Sequence, residues 1–293
     1  MKKRKNNYFI RRAAVVFGVI AVCAMLIFYG FYAYTKTGTI VPTLELFDDK
    51  PTFRFIDVGQ GNSTLITYRG DAVLIDAGTP GNKYETADYI RMFAPEIDYM
   101  IITHPHDDHM GGAAEIISQV EVKNLIIRDV EVSDSFYTDA LDAAEKCGTN
   151  ITILSSAAEF ITDNITVEIL DSFDFEFSDL NDSSMVTRVT AGKTSALITG
   201  DAGEKVEQIL VAAYGEDLHA NILEVGHHGS DTSTSSEFVM AVLPEKCVIS
   251  CGKNNAYGHP TAKTLGTIRE VGAEICRTDR SGTIVLRGEK ADD

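Results

Sequence analysis

The sequence predicts a mixed α/β (α+β) fold in which two sheets carry helices on their outer sides, preceded by one transmembrane helix. Three observations support this. Short β-rich runs alternate with amphipathic segments after residue 52, without repeats or low-complexity tracts. Antiparallel hairpin signals and buried apolar strands mingle with helices in the same body, which fits two sheets better than one. An uncharged stretch precedes the body and reads differently from it. Of the 293 residues, 44% are hydrophobic and 24% charged, a balance that excludes disorder, collagen-like and coiled-coil architectures.

Residues 13–34 hold 22 residues without a charge. At about 1.5 Å per residue they reach ~33 Å, enough to cross a hydrocarbon core of ~30 Å. Lys2, Lys3, Arg4, Lys5, Arg11 and Arg12 precede the run with no acid among residues 1–12, so the positive-inside rule keeps that tail cytoplasmic and places the body outside the cell membrane. A cleaved signal peptide is the rival, but Phe31-Tyr32-Ala33-Tyr34-Thr35 lacks an Ala-x-Ala-like site, and Val22 before Cys23 is unlike a lipoprotein cleavage site. The expected organisation is a basic tail at 1–12, a signal anchor at 13–34, a stalk at 35–51 and a folded body at 52–293.

Strands are expected at Phe53–Val58, Ser63–Tyr68 and Asp71–Asp76, separated by Gly59-Gln60-Gly61-Asn62 and Arg69-Gly70 turns. Glu85–Phe93 has helical spacing, and Tyr99–Thr103 is an apolar strand running into a histidine-rich loop. A helix at Ala113–Gln119, a strand at Val122–Ile127 and a helix at Ser135–Cys147 follow. Further strands are expected at Ile151–Leu154, Ile165–Leu170, Met185–Ala191, Ser195–Thr199, Ile222–Val225, Cys247–Ser250, Glu274–Arg277 and Thr283–Arg287. The remaining helices are Ala202–Tyr214, Phe238–Leu243 and Ala262–Val271.

Residues 13–293 carry 20 basic against 43 acidic side chains, a net charge of −23. So acidic a body repels an extended phosphate backbone and excludes a DNA-coating role, leaving nucleic-acid chemistry only at a local metal centre. No GxSxG elbow or Walker-type loop is present. Cys147, Cys247, Cys251 and Cys276 form no CxxC pair and read as buried free thiols, with Cys247 or Cys251 able to pair with Cys276 if their strands are neighbours.

Six of the seven histidines fall in three clusters at turns after apolar strands. The first is Thr103-His104-Pro105-His106-Asp107-Asp108-His109-Met110-Gly111-Gly112. His104 and His106, two apart on an extended segment, can grip one ion, and Asp108 and His109, past the turn, can face a second. This mixture of imidazole and carboxylate suits Zn²⁺, with Mn²⁺ or Fe as substitutes. Gly111-Gly112 leaves room for close backbone approach. The other clusters are Gly226-His227-His228-Gly229-Ser230 and Tyr257-Gly258-His259-Pro260. His219 matches no motif and reads as a surface histidine.

The first loop resembles the HxHxDH signature of the metallo-β-lactamase superfamily. Phe55–Ser63, Leu74-Ile75-Asp76-Ala77-Gly78, Thr199-Gly200-Asp201 and the two later clusters follow in the order found in the hydrolase domain of ComEC-type competence proteins, a similarity covering about residues 52–288. It implies an αββα four-layer sandwich with two divalent metal ions at the sheet edge. By that resemblance Asp201 is the bridging carboxylate, a position also open to a helix N-cap. One of His227 and His228 ligates beside Asp108 and His109 while its neighbour faces substrate, and His259 contacts substrate or acts as general acid. Asp57 and Asp76 would lie beneath the imidazoles and orient them, against a reading as turn-forming acids. No further histidine lies between residues 110 and 200, so the first ion would have His104, His106, Asp201 and water, helped by Asn181 or Asp182. Asn62 stands where relatives often carry Asp.

The resemblance implies hydrolysis by a hydroxide held between two ions, since metal binding lowers the pKa of water from 15.7 to about 7. Phosphodiester cleavage of a small diester or single-stranded nucleic acid leads. Lactone, thioester or β-lactam hydrolysis is the alternative, and a non-catalytic binding module the third. Asp108, His227, His228 and His259 are the candidate catalytic residues.

Overall fold

The computed structural model describes residues 49–170, 172–173, 177 and 179–292. The expected tail and membrane span, with most of the stalk, lie outside them. Among the described residues no helix is long and apolar enough to cross a membrane.

The chain builds one arrangement twice. In the first sheet, β1 (Thr52–Phe55), β2 (Thr64–Tyr68) and β3 (Asp71–Ile75) form an antiparallel meander, and β4 (Glu96–Ile101), β5 (Glu121–Arg128) and β6 (Asn150–Leu154) continue it in parallel. Parallel neighbours need long crossovers. These contain α1 (Lys83–Phe93), the one-turn α2 (Asp107–Met110), α3 (Ala113–Gln119) and α4 (Ser135–Cys147). The second sheet repeats the scheme. Antiparallel β7 (Ala158–Ile161), β8 (Ile165–Ile169), β9 (Thr187–Ala191) and β10 (Thr194–Ile198) lead into parallel β11 (Ile222–Glu224), β12 (Lys246–Ile249) and β13 (Glu274–Arg277). Its crossovers carry α5 (Glu204–Tyr214), α6 (Ser236–Val242) and α7 (Ala262–Glu270). After the one-turn α8 (Thr278–Ser281), β14 (Ile284–Arg287) returns to the first sheet and pairs antiparallel with β1, Thr52 opposite Arg287.

Side-chain alternation distributes the apolar residues over three layers. Phe53, Phe55, Val73, Ile75 and Ile101 point inward and meet Ile165, Val167, Val189, Ile198 and Val248 of the facing sheet. Their strand neighbours Leu74 and Met100 point outward against Ile90 of α1, Ile116 of α3 and Ala140 and Ala144 of α4. On the far side Leu197, Leu223 and Ile249 pack under Val206 and Leu210 of α5, Phe238 of α6 and Ile268 of α7. Four layers need three apolar interfaces, and three are present. α4 is closed at both ends by its sequence: Asp134 accepts a hydrogen bond from Phe136 N, and Gly148 takes the left-handed conformation at φ 77°.

Three expectations change. β7, the four-residue edge strand Ala-Glu-Phe-Ile with Ile161 61% exposed, is not among the expected strands. α5 starts at Glu204 with Gly203 as its uncapped N-cap, so Asp201 is not a helix cap. The four described cysteines are free thiols as expected, but only Cys247 and Cys251 are buried; Cys147 is exposed and Cys276 half-buried. β12 and β13 are neighbours, but Cys247 packs in the helix-side cluster and Cys276 against the inter-sheet one, so these two face opposite sides of the sheet.

Candidate metal centre

The carboxyl ends of β3, β4, β10, β11 and β12 all lead to one edge of the sandwich, where their turns meet. After β4 the chain stays extended through His104 and His106, then turns as α2, whose His109 and Met110 amides donate to the His106 carbonyl. Thr103 anchors this loop on both sides. Its N–H and hydroxyl donate to the Asp76 carboxylate, and its carbonyl accepts from Met185 N across the sheet interface. Gly112 packs so tightly on the Ala77 carbonyl that a Cβ would overlap it. The room predicted beside the metals is therefore used by neighbouring backbone.

Two groups of donor atoms result. Asp108, His109, Asp201 and His228 bring ligand atoms within 4.8 Å of one another, as do His104, His106 and Asp201. Asp201 belongs to both. Each ligating imidazole of the first group has its outer nitrogen committed. His109 Nδ1 lies 2.7 Å from Asp76 Oδ2, and His228 Nδ1 donates to the Ser250 carbonyl at 2.9 Å. Those bonds put a proton on each Nδ1 and turn both Nε2 atoms toward the carboxylates of Asp108 and Asp201. His228 Nε2 lies 3.1 Å from Asp108 Oδ2, and His109 Nε2 3.1 Å from Asp201 Oδ1. In the second group His104 Nε2 and His106 Nδ1 stand 3.0 Å apart, with the hydroxyls of Thr103 and Ser184 each 3.3 Å from His104 Nδ1.

The donor set fits a metal pair on the structure's own terms. His109 Nε2 and Asp201 Oδ1 are buried, adjacent, and without hydrogen-bonding geometry to any partner. Buried polar atoms are seldom left unpaired, and nitrogen and oxygen donors aimed at a common point are what a divalent ion of the zinc, manganese or iron type requires. Backbone strain converges on the same place. Asp76, His227 and His228 are non-glycine residues at φ 59°, 50° and 56°, and such conformations persist only where the surroundings enforce them.

Protonation is set by opposing burial and charge. Burial favours neutral Asp201, but His109 and His228 hold its pKa well below the usual carboxylate range. Burial opposes a charge on His109, yet Asp201 and Asp76 push its pKa well up. Burial raises the Asp76 pKa against the pull of His109. His104 is driven well down by burial and by the His109 charge. Burial raises the Asp108 carboxyl, but the hydrogen bond to His228 and the charges of His109 and His228 together bring it down to about 2.

The remaining expected residues separate cleanly. His227 belongs to neither donor group: its Nδ1 contacts the Thr232 hydroxyl at 3.1 Å, and its Nε2 is 3.7 Å from Asp201 Oδ2. Both His227 and half-buried His259 line the cleft above the donors, together with Gln60, Thr79, Asn181 and Tyr257. The Asn181 Oδ1 in that wall is buried and unpartnered. Asp182 is a support of the loop, accepting from Gly203 N at 3.1 Å. Asp57 is exposed and accepts from Gly59 N two residues on, the turn-forming alternative, and does not underlie the imidazoles. His219 is exposed, with its Nδ1 on the Val242 carbonyl.

Sequence reasoning did not single out Glu224, Ser250, Thr64 or Ser184. Glu224 is buried at the end of β11, accepting from the Thr64 hydroxyl of the first sheet at 3.0 Å and the Ser250 hydroxyl at 2.7 Å. Its carbonyl accepts from the Thr199 hydroxyl, two residues before Asp201. An acid inside the apolar Ile222–Val225 run was the available signal. Ser184 donates nothing visible in sequence, yet its hydroxyl accepts from Asp201 N at 3.0 Å.

A domain model of the metallo-β-lactamase superfamily matches residues 56–253, and the chain belongs to that superfamily. Within it, the chain is 31% identical over 264 residues to Competence protein ComA of Neisseria gonorrhoeae, covering 89% of this chain and 35% of that protein. It is 30% identical over 251 residues to ComE operon protein 3 of Bacillus subtilis, covering 79% and 32%. The chain thus spans about a third of the length of the curated relatives it matches. Among solved structures, the metallo-β-lactamase fold protein YhfI of Bacillus subtilis superposes with a TM-score of 0.54 at 13% identity, over 81% of this chain and all of that one. The chain has the metallo-β-lactamase fold and is related to competence proteins, with a His/Asp metal-site cluster.

Proposed function

We propose that the chain is a membrane-tethered, extracytoplasmic phosphodiester hydrolase working with two divalent ions, Zn²⁺ first and Mn²⁺ or Fe as substitutes. The observation that carries the reading is the sharing of Asp201 between two donor groups beneath one open cleft. When bound, the ions supply Lewis acidity and a water made nucleophilic near neutral pH. The chain's own residues do the rest. Asp76 and Ser250 hold the ring orientation of His109 and His228, while His227 and His259, free of both donor groups, offer ring nitrogens to phosphate oxygens and the leaving group. Relatedness to competence proteins favours a nucleic-acid diester. Among the described residues the cleft lining contains no Lys or Arg, and the body is acidic, so a small diester or a short single strand suits it better than a duplex. The basic residues 1–12 before the uncharged run support tethering with the body outside.

The test is metal analysis with a substrate panel on the full chain in detergent micelles and on Asp108→Ala. The expected result is two ions per chain and turnover of bis-p-nitrophenyl phosphate that falls by several orders of magnitude in the variant with its thermal unfolding unchanged. Hydrolysis of nitrocefin or acyl-lactones with phosphodiesters untouched would replace this reading by acyl chemistry. Metal content near zero with no turnover would leave a binding module.

A further inference from the structure

Tyr257 is the most exposed of the large apolar side chains among the described residues, at 72%, and it lines the cleft above the donor groups. Its ring is not loose on the surface. It stacks on His259 with centroids 5.7 Å apart and planes 28° apart, and His259 in turn meets His227 edge-on at 5.7 Å. The loop that presents it is fixed at its root. Asn255 Nδ2 donates to the carbonyls of Gly252 and His259, Asn255 Oδ1 accepts from His259 N, and Gly252 N donates to Gln60 Oε1. A column of rings therefore runs outward from Asp201 through His227 and His259 and ends in an aromatic face open to solvent.

We infer that Tyr257 is the stacking platform of a nucleobase subsite, so that the diester cleaved at this centre is a nucleotide whose base lies on the tyrosine ring. The inference rests on the phosphodiester reading above. A phosphate held over Asp201 and met by His227 and His259 brings its nucleoside toward Tyr257, the next ring outward. With no Lys or Arg in the cleft and a formal net charge of −17 on the chain, the phosphate backbone gains nothing from an electrostatic track. A π-face contact is the attraction left to this surface, and it is tolerant of base identity because every base has a π-face. The platform also demands an unpaired, unstacked base, which a single strand or a strand end provides and a closed duplex does not.

The chain contains no tryptophan, so Tyr257→Trp places a single indole reporter on the platform. In the full chain in micelles, loaded with Zn²⁺ or Mn²⁺, thymidine 5′-monophosphate is expected to quench that emission while methyl phosphate is not. In turnover, thymidine 5′-(p-nitrophenyl phosphate) and methyl p-nitrophenyl phosphate share a leaving group and differ in the base. Wild type is expected to prefer the nucleotide ester, Tyr257→Ala to lose roughly 5- to 100-fold of that preference through KM, and Tyr257→Phe to keep it. Cleavage of both esters with an unchanged preference in Tyr257→Ala and no quenching in Tyr257→Trp overturns the platform and leaves the phosphodiester reading standing. Failure of wild type to cleave either ester overturns both.

Discussion

Replacing Glu224 by Gln should make the protein more stable at high pH and leave it unchanged at low pH. Burial pushes the Glu224 carboxyl up from 4.5 to about 7, with the nearby Asp76 adding to the rise and the hydroxyls of Ser250 and Thr64 opposing it. The folded chain therefore keeps a proton that the unfolded chain has lost. The sign follows from linkage: the stability associated with that proton is fully present below pH 4.5 and is lost progressively as the pH rises from there through about 7. A rise from 4.5 to about 7 corresponds to about 3 kcal/mol. Glutamine is fixed in the neutral form, accepting one hydroxyl through Oε1 and donating to the other through Nε2, since both hydroxyls can rotate. Thermal unfolding of the chelator-treated full chain in micelles at pH 5, 6, 7 and 8 measures the difference between wild type and Glu224→Gln, in which all other titrations cancel. For a domain of this size the gap should open to about 6–10 °C at pH 8 and close near pH 5. A gap independent of pH, or a variant less stable at pH 8, would refute the argument that burial governs this carboxyl.

Two further outcomes follow from the same contacts. Asp76→Asn retains a residue type that tolerates the left-handed backbone at φ 59° but removes the charge behind His109, so affinity for Zn²⁺ in a chelator-competition titration should fall about 10- to 100-fold with little change in Tm; an unchanged affinity would deny Asp76 its orienting role. Gly61→Ala puts a Cβ into the Asp108 carbonyl, and the shift needed should cost about 1–3 kcal/mol in urea unfolding together with part of the metal affinity, whereas wild-type values would mean that the turn yields freely.

The architecture was legible wherever burial imposed a period. β8 reads Ile-Thr-Val-Glu-Ile with its apolar residues all inward, and α4 begins and ends on residues whose chemistry caps it. β7 was not legible, because four residues carrying only two strongly apolar side chains, Phe160 and Ile161, are too short to establish a period. At the site, His104, His106, Asp108 and His109 were legible from type and spacing, and Asp201 and the His227-His228 pair from the family resemblance; the structure brings the first five together with His228. Which of His227 and His228 joins them was not. That choice depends on the Ser250 carbonyl, a backbone atom 22 residues away whose position is set by sheet pairing and not by any local preference. Asp57 and Asp76 look alike in sequence, each closing an early strand, and only tertiary placement separates an exposed turn acid from a buried partner of His109.

The supporting residues explain why the donors converge on an edge that no single element controls. Glu224 binds the two sheets through Thr64 and Ser250, and the same serine's carbonyl fixes the His228 ring, while the glutamate carbonyl holds Thr199 and with it the turn to Asp201. Ser184 completes the frame by accepting from Asp201 N while lying beside His104 Nδ1. Burying imidazoles and carboxylates together is costly unless each finds a partner, and here the outer atoms of His109 and His228 are paired while two atoms facing the centre, His109 Nε2 and Asp201 Oδ1, are not. A scaffold selected for stability alone would have paired both. Leaving the inward atoms unsatisfied, and holding Asp76, His227 and His228 in strained backbone to aim them, is intelligible only if the compensating interaction comes from what binds between them.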